Sequence, residues 1–187
     1  MVLTGGPGTG KTTTMLGMIK SFGQFHQTIL LAAPTGRAAK RMSETTGREA
    51  KTIHRLLEYN PQNGYKYNDK NQLKGDILIL DEVSMVDIIL MYNLLKAVPD
   101  TMRIIFVGDV DQLPSVGAGN VLRDIISSGI VPIVQLNEIF RQARDSDIIM
   151  NAHRINHGER PVINNRSSKD FFFENVILLN GSIFLFH

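Results

Sequence analysis

The sequence predicts an α/β fold, a mostly parallel sheet with helices on both faces, and three observations predict it. A glycine-rich loop, Gly5-Gly6-Pro7-Gly8-Thr9-Gly10-Lys11-Thr12, stands between the end of one apolar run and the start of a helical pattern. Short, continuous apolar runs then alternate with helical patterns, as expected for strands of a parallel sheet covered on both faces. One of those runs, Ile77-Leu78-Ile79-Leu80, ends directly in two acids, Asp81-Glu82.

Taken in order, residues 2–4 are the end of a strand entering the glycine loop, and residues 11–21 are the helix leaving it. The β-leaning run 28–33 is the next strand, and Gly36 opens a helix over 36–45. A further helix is expected over 52–59. Residues 60–75 are the one polar interruption, with Asn63-Gly64 as a hairpin signal flanked by Tyr59, Tyr65 and Tyr67. That segment reads as a small inserted hairpin or as a DNA-facing loop with stacking tyrosines. A strand over 76–80 follows, then a helix over 87–97 with Ser84 as its expected cap. A strand over 103–107, a helix over 119–127 and a strand over 131–136 complete the alternation. Past Gln142 the pattern changes to one helix over 145–157, a polar connector and the apolar Phe171-Phe172-Phe173. Residues 176–187 are apolar, with no partner visible in the sequence.

At 187 residues the chain can bury a sizeable core. It has no cysteine, which excludes a disulfide framework and thiolate metal sites and fits a reducing compartment, the cytoplasm. No signal peptide precedes the loop, and no apolar run approaches the roughly 20 residues that span a bilayer, so no membrane partner is expected. A net charge of +2 is too small to imply nucleic acid by itself.

The loop matches the pattern G-x-x-x-x-G-K-[ST], whose backbone N–H groups turn inward around a phosphate. Gly6, Gly8, Thr9, Gly10, Lys11, Thr12 and Thr13 are therefore the candidate nucleotide-binding residues, with Lys11 reaching the β/γ-phosphates and Thr12 holding Mg²⁺. Asp81 is expected beside Thr12 on the metal, and Glu82 is suited to orient and deprotonate an attacking water. Both roles require these acids to lie next to the loop. Gln112, in Gly108-Asp109-Val110-Asp111-Gln112-Leu113-Pro114, is placed either to touch the γ-phosphate or merely to bond backbone in a turn. His153 and His157 are four apart on a helix, but Arg154 replaces the glutamate of H-E-x-x-H and no third ligand is apparent, so no metal centre is expected there.

Together these pieces resemble the helicase motifs of superfamily 1, and in detail the RecD-like helicases, the family of the exodeoxyribonuclease V alpha subunit. The resemblance rests on residues 5–13, on Ala33-Pro34-Thr35-Gly36-Arg37-Ala38-Ala39-Lys40-Arg41-Met42, on Thr52-Ile53-His54-Arg55-Leu56-Leu57, on residues 80–87 and 108–120, and on Leu136-Asn137-Glu138-Ile139-Phe140-Arg141-Gln142. It implies a RecA-like P-loop NTPase that uses ATP and Mg²⁺, with Lys11, Glu82, Gln112 and Arg141 as catalytic groups. By the same resemblance Pro34, Thr35, Gly36, Arg37 and His54 face single-stranded DNA, movement along it runs 5′ to 3′, and other exodeoxyribonuclease V subunits are candidate partners. Residues 1–142 are then the first motor domain, and 143–187 a helix and connector leading toward a second one. The family's later motifs, and the glutamine-containing segment that precedes the loop, have no counterpart here. The expectation is a piece of a longer helicase that binds Mg·ATP weakly, turns it over little and does not unwind duplex. A small-molecule kinase on the same fold, or a nucleotide-dependent interaction module, are the alternatives.

Overall fold

A computed structural model describes residues 1–140, 145–163, 168–172, 176–179 and 182–185. They fall into two compact units, Met1–Gly6 with Gly10–Asn137, and Pro7–Thr9 with the residues from Glu138 onward.

The first unit is built on a six-stranded sheet in the order β3-β2-β6-β7-β1-β8. Its strands are β1 (Val2–Gly5), β2 (Ile29–Ala33), β3 (Ala50–Thr52), β6 (Ile77–Leu80), β7 (Arg103–Gly108) and β8 (Ile133–Leu136). Every pairing within it is parallel. In the inner strands the continuous apolar runs reflect burial on both faces, whereas β8 at the edge is largely exposed. Leu78 and Leu80 of β6 pack with α4 (Ile88–Ala97) and α5 (Val121–Ser127), through Leu90, Leu94 and Leu122. Ile77 and Ile79 pack on the opposite face with Met15 and Ile19 of α1 (Lys11–Gln24) and Met42 of α2 (Gly36–Thr46). All four β6 side chains are fully buried, each contributing roughly 1.5–3 kcal/mol of burial free energy.

Between β3 and β6 the expected helix over 52–59 is shorter, α3 (Ile53–Leu56), because Glu58 takes a left-handed backbone (φ 48°) and turns the chain into a hairpin. That hairpin pairs β4 (Tyr59–Asn60) with β5 (Gly64–Tyr65), with Tyr59 opposite Tyr65 and Gly64 at φ 73°. The expected cap at Ser84 is corrected. Val83–Met85 is a separate 3-10 turn, and α4 is capped by Asp87, whose carboxylate accepts from Leu90 N at 2.7 Å. The Ser84 hydroxyl is buried without a hydrogen-bond partner among the described residues.

In the second unit, α6 (Asp147–Asn156) is fixed at its start by two side chains: Ser146 accepts from Ile149 N at 3.3 Å, and Asp170 accepts from Asp147 N at 2.9 Å. Farther along, buried Asn151 exchanges two hydrogen bonds with the Val162 backbone, at 2.8 and 3.1 Å. The run without a visible partner pairs with itself, β9 (Val176–Leu179) antiparallel to β10 (Ser182–Leu185). No helix among the described residues is long and apolar enough to cross a membrane.

Candidate functional site

Strands β6, β7 and β1 are neighbours in a parallel sheet, so their carboxyl ends share one edge, where open α/β sheets bind ligands. The chain leaving each strand there carries a charged group: Asp81-Glu82 after β6, Asp109 after β7 and Lys11 after β1.

Lys11 is the first residue of α1, and Gly10 before it takes the left-handed conformation (φ 88°) that lets the loop turn into the helix without a Cβ clash. The Lys11 ammonium donates to the carbonyls of Gly5 (2.6 Å) and Gly6 (2.9 Å). It also faces the Asp109 carboxylate at 3.8 Å. Burial holds its pKa below the ordinary lysine value, against the opposing pull of Asp109 and then Asp81. Asp81 shows the converse. Burial raises its pKa, against the Glu82 N–H that it accepts at 2.9 Å and the positive charges of Arg41 and Lys11. Charge coupling in both directions puts Asp81 and Lys11 in one electrostatic neighbourhood. Glu82 follows in the left-handed region, φ 53° and ψ 41°, held there by that bond and by the 3-10 turn it opens.

Gln112 donates from its side chain to Asp109 Oδ2 at 3.3 Å, while Asp109 Oδ1 accepts from Asp111 N at 3.0 Å. Asp109 is 3 % exposed and is the hub of this corner. Sequence reasoning passed over it as a group acting on Lys11, although an acid directly after an apolar strand was the signal used for Asp81. Arg41 was likewise missed as a charge on this edge, since only its place on α2 connects it to Lys11 and Asp81.

Thr12 and Thr13 lie in the first turn of α1. Gly8, at φ 72°, and buried Thr9 belong to the loop tip, Pro7–Thr9, which groups with the second unit. Arg141 lies outside the described residues.

Pro34, Thr35, Gly36 and Arg37 follow β2, and His54 follows β3. These parallel neighbours pair Ala33 with Thr52, so both segments emerge at one edge. Thr35 caps α2 by accepting from Ala38 N, and Thr52 caps α3 by accepting from Arg55 N, each at 3.2 Å. A cleft of about 640 Å³ beside them is lined by residues that include Gly36, Lys40, Lys51, Thr52 and Arg55. His54 contacts the rings of Tyr59 and Tyr65, at centroid distances of 5.7 and 6.1 Å.

The residues present fit a nucleotide phosphate with its metal ion. A half-buried ammonium satisfied by its own loop's carbonyls is a cation poised for an anionic ligand, and the Asp81 carboxylate and Thr12 hydroxyl are hard oxygen donors of the kind Mg²⁺ takes.

The family profile of the AAA domain matches residues 1–118. The chain is 47 % identical over 161 residues to the ATP-dependent RecD2 DNA helicase of Deinococcus radiodurans, covering 86 % of this chain and 22 % of that protein. It is 41 % identical over 148 residues to the RecBCD enzyme subunit RecD of Mycobacterium tuberculosis, covering 67 % of this chain and 26 % of the subunit. Among solved structures, the Pif1 helicase from Candida albicans shares the fold with a TM-score of 0.58 at 24 % identity, over 86 % of this chain and 41 % of that one. The chain thus spans 22–26 % of the length of these two sequence relatives.

Proposed function

From the premise that this chain belongs to the AAA domain family, as a RecD-like superfamily 1 helicase sequence with a RecA-like P-loop NTPase fold, we propose that it is an ATP-driven motor domain acting on single-stranded DNA. The observation that carries this reading is the meeting of Lys11, Asp81 and Asp109 at one sheet edge, with Glu82 adjoining Asp81.

In this reading Lys11 leaves the Gly5 and Gly6 carbonyls for the β/γ-phosphates, and the inward N–H groups of Gly6, Gly8, Thr9, Gly10, Thr12 and Thr13 cradle the anion. Thr12 and Asp81 hold Mg²⁺, which when bound neutralises developing charge on the phosphate oxygens. Holding Asp81 ionised opposes its burial, and a bound cation supplies what burial withholds. Glu82 takes the proton of the attacking water. Gln112, tethered to Asp109, follows the state of that corner and carries it into the loop beyond residue 112. Arg141 supplies a guanidinium to the transferring phosphoryl group, an effect typically worth ~10³–10⁵ in rate.

The edge beyond β2 and β3 is the DNA side, where Pro34, Thr35, Gly36, Arg37 and His54 meet the strand by backbone and basic contacts. Residues 1–142 are the motor's first domain, and 143–187 lead toward a second. The parent protein moves 5′ to 3′ in the cytoplasm and works with exodeoxyribonuclease V subunits or as a stand-alone relative of that motor subunit. This chain alone binds Mg·ATP weakly, turns it over little and does not unwind duplex, because transition-state stabilisation draws on positioned groups from both sides of a closing cleft.

The test is binding of a fluorescent ATP analogue to this chain and DNA-stimulated ATP turnover by the longer parent protein. Lys11→Ala should abolish the first, and Glu82→Gln should abolish the second while sparing binding. Undiminished DNA-dependent function in the Glu82→Gln parent would refute the motor reading. Turnover indifferent to single-stranded DNA would favour a small-molecule phosphotransferase instead.

A further inference from the structure

Within the second unit, the loop tip Pro7–Thr9 accepts two hydrogen bonds through its backbone carbonyls. Phe140 N donates to Gly8 O at 3.1 Å, and the His153 ring donates from Nε2 to Pro7 O at 2.9 Å. A carbonyl oxygen only accepts, so His153 Nε2 must carry a hydrogen. His153 sits in the last turns of α6, the helix fixed by Ser146, Asp170 and Asn151. Its imidazole therefore extends from an anchored support. His157, four residues on, donates from Nδ1 to the His153 carbonyl at 2.7 Å, so this pair of rings is engaged with backbone oxygens.

In a trans peptide the C=O and the following N–H point in opposite directions. No peptide bond in the described structure is cis. Fixing Pro7 O toward His153 therefore aims the Gly8 N–H away from α6. In the same way, fixing Gly8 O toward Phe140 N sets the direction of the Thr9 N–H. These are two successive donors of a loop whose use depends on N–H groups converging on one anion. Gly8, at φ 72°, has no Cβ to favour this arrangement over others, so the two hydrogen bonds bear directly on it.

We propose that His153 is a positioning residue for the phosphate loop, its Nε2–H holding the Pro7–Gly8 peptide so that the Gly8 N–H is preset for a phosphate oxygen. The inference rests on the nucleotide-binding reading given above. It adds that affinity for phosphate is set in part by α6, a helix outside the glycine loop, through the Pro7–Gly8 peptide that His153 holds. Preorganised donors bind more tightly than donors that must be ordered on binding.

The test compares His153→Leu with His153→Gln, whose side-chain amide can donate to the same carbonyl. Affinity for a fluorescent ATP analogue and for inorganic pyrophosphate is measured alongside thermal unfolding. The expected result is a three- to tenfold loss of affinity for both ligands in His153→Leu, about the weight of one hydrogen bond. Thermal unfolding should be nearly unchanged, and most of the affinity should return in His153→Gln. Wild-type affinity in His153→Leu would overturn the proposal. So would equal losses of affinity in both variants in step with a lowered melting temperature, which would mark the ring as a structural contact only. Absence of any binding that Lys11→Ala removes would instead bring down the nucleotide reading itself, and the inference with it.

Discussion

The same chemical change, a methyl group added to a glycine, should act with opposite sign at two places in the first unit. At Gly108, the last residue of β7, a Cβ would lie 2.7 Å from Leu122 Cδ2, 3.3 Å from Val83 N and 3.4 Å from Ser84 N. Leu122 is fully buried in the core beneath α5, so its methyl has little room to retreat. The two amides belong to the 3-10 turn after Glu82, which is closed by Met85 N to Glu82 O and Val86 N to Val83 O. Overpacking of this kind costs about 1–3 kcal/mol. At Gly17, in the middle of α1, a Cβ meets nothing within 4 Å, and the change only reduces backbone freedom in the unfolded chain. The gain there is about 0.5–1 kcal/mol. For a chain of this size 1 kcal/mol moves the melting temperature by roughly 2–4 °C. Gly17→Ala should therefore raise Tm by about 1–4 °C and Gly108→Ala lower it by about 2–12 °C, with the double variant near the sum. Differential scanning calorimetry on the purified chain measures all three. A Gly108→Ala protein as stable as wild type would refute the packing assigned to the end of β7, and a destabilised Gly17→Ala would refute the open face of α1.

Two further outcomes follow from particular bonds. Asp87→Ala removes the carboxylate that accepts from Leu90 N at the start of α4, and should cost roughly 0.5–2 kcal/mol in urea unfolding with an unchanged slope, whereas Asp87→Ser should retain most of the stability. Asp81 has its folded pKa raised by burial, so the native state holds its proton more tightly than the unfolded chain does. Its contribution is therefore destabilising above the raised value and fades as pH falls through it toward the ordinary carboxylate value. Without nucleotide or Mg²⁺, Asp81→Asn should melt higher than wild type at neutral pH, and the difference should shrink on acidification. A difference that grows on acidification would contradict the burial assigned to this carboxylate.

Much of this architecture was legible because strands β1, β6 and β7, and the end of β2, are buried on both faces. Strand β8, at the sheet's edge, is largely exposed and was legible from its apolar residues alone. Strands buried on both faces appear as unbroken apolar runs, and all five strands that were expected are present within a few residues of their expected limits. Strand β3 was not legible: Ala50-Lys51-Thr52 has neither length nor pattern, and it is a strand only because β2 lies beside it. The helix over 52–59 was overextended because Leu56 and Leu57 continue an apolar pattern up to Glu58, where a positive φ ends it. Misreading Ser84 as a cap has a similar origin. Ser84 and Asp87 are both capping residue types, and the 3-10 turn between Glu82 and Val86 decides which one meets the helix. At the site, the glycine loop and Asp81-Glu82 were visible as local patterns. The pairing of Lys11 with Asp109 was not, because it depends on β1 lying next to β7, a fact of strand order that no local window contains.

The left-handed backbone at Glu82 bears on how the role proposed for this glutamate should be tested. A side chain with a Cβ carries an energetic burden of roughly 1–2 kcal/mol in that region, and glycine carries none. Replacing the carboxylate with glutamine or alanine leaves that burden where it was, so any lost turnover reports on the missing acid. A glycine replacement would discard the acid and relax the main chain beside Asp81 in one stroke. If the proposed role of Glu82 holds, the resulting protein would be both silent and differently shaped at the corner beside Asp81, and its silence would be no guide to what the glutamate does.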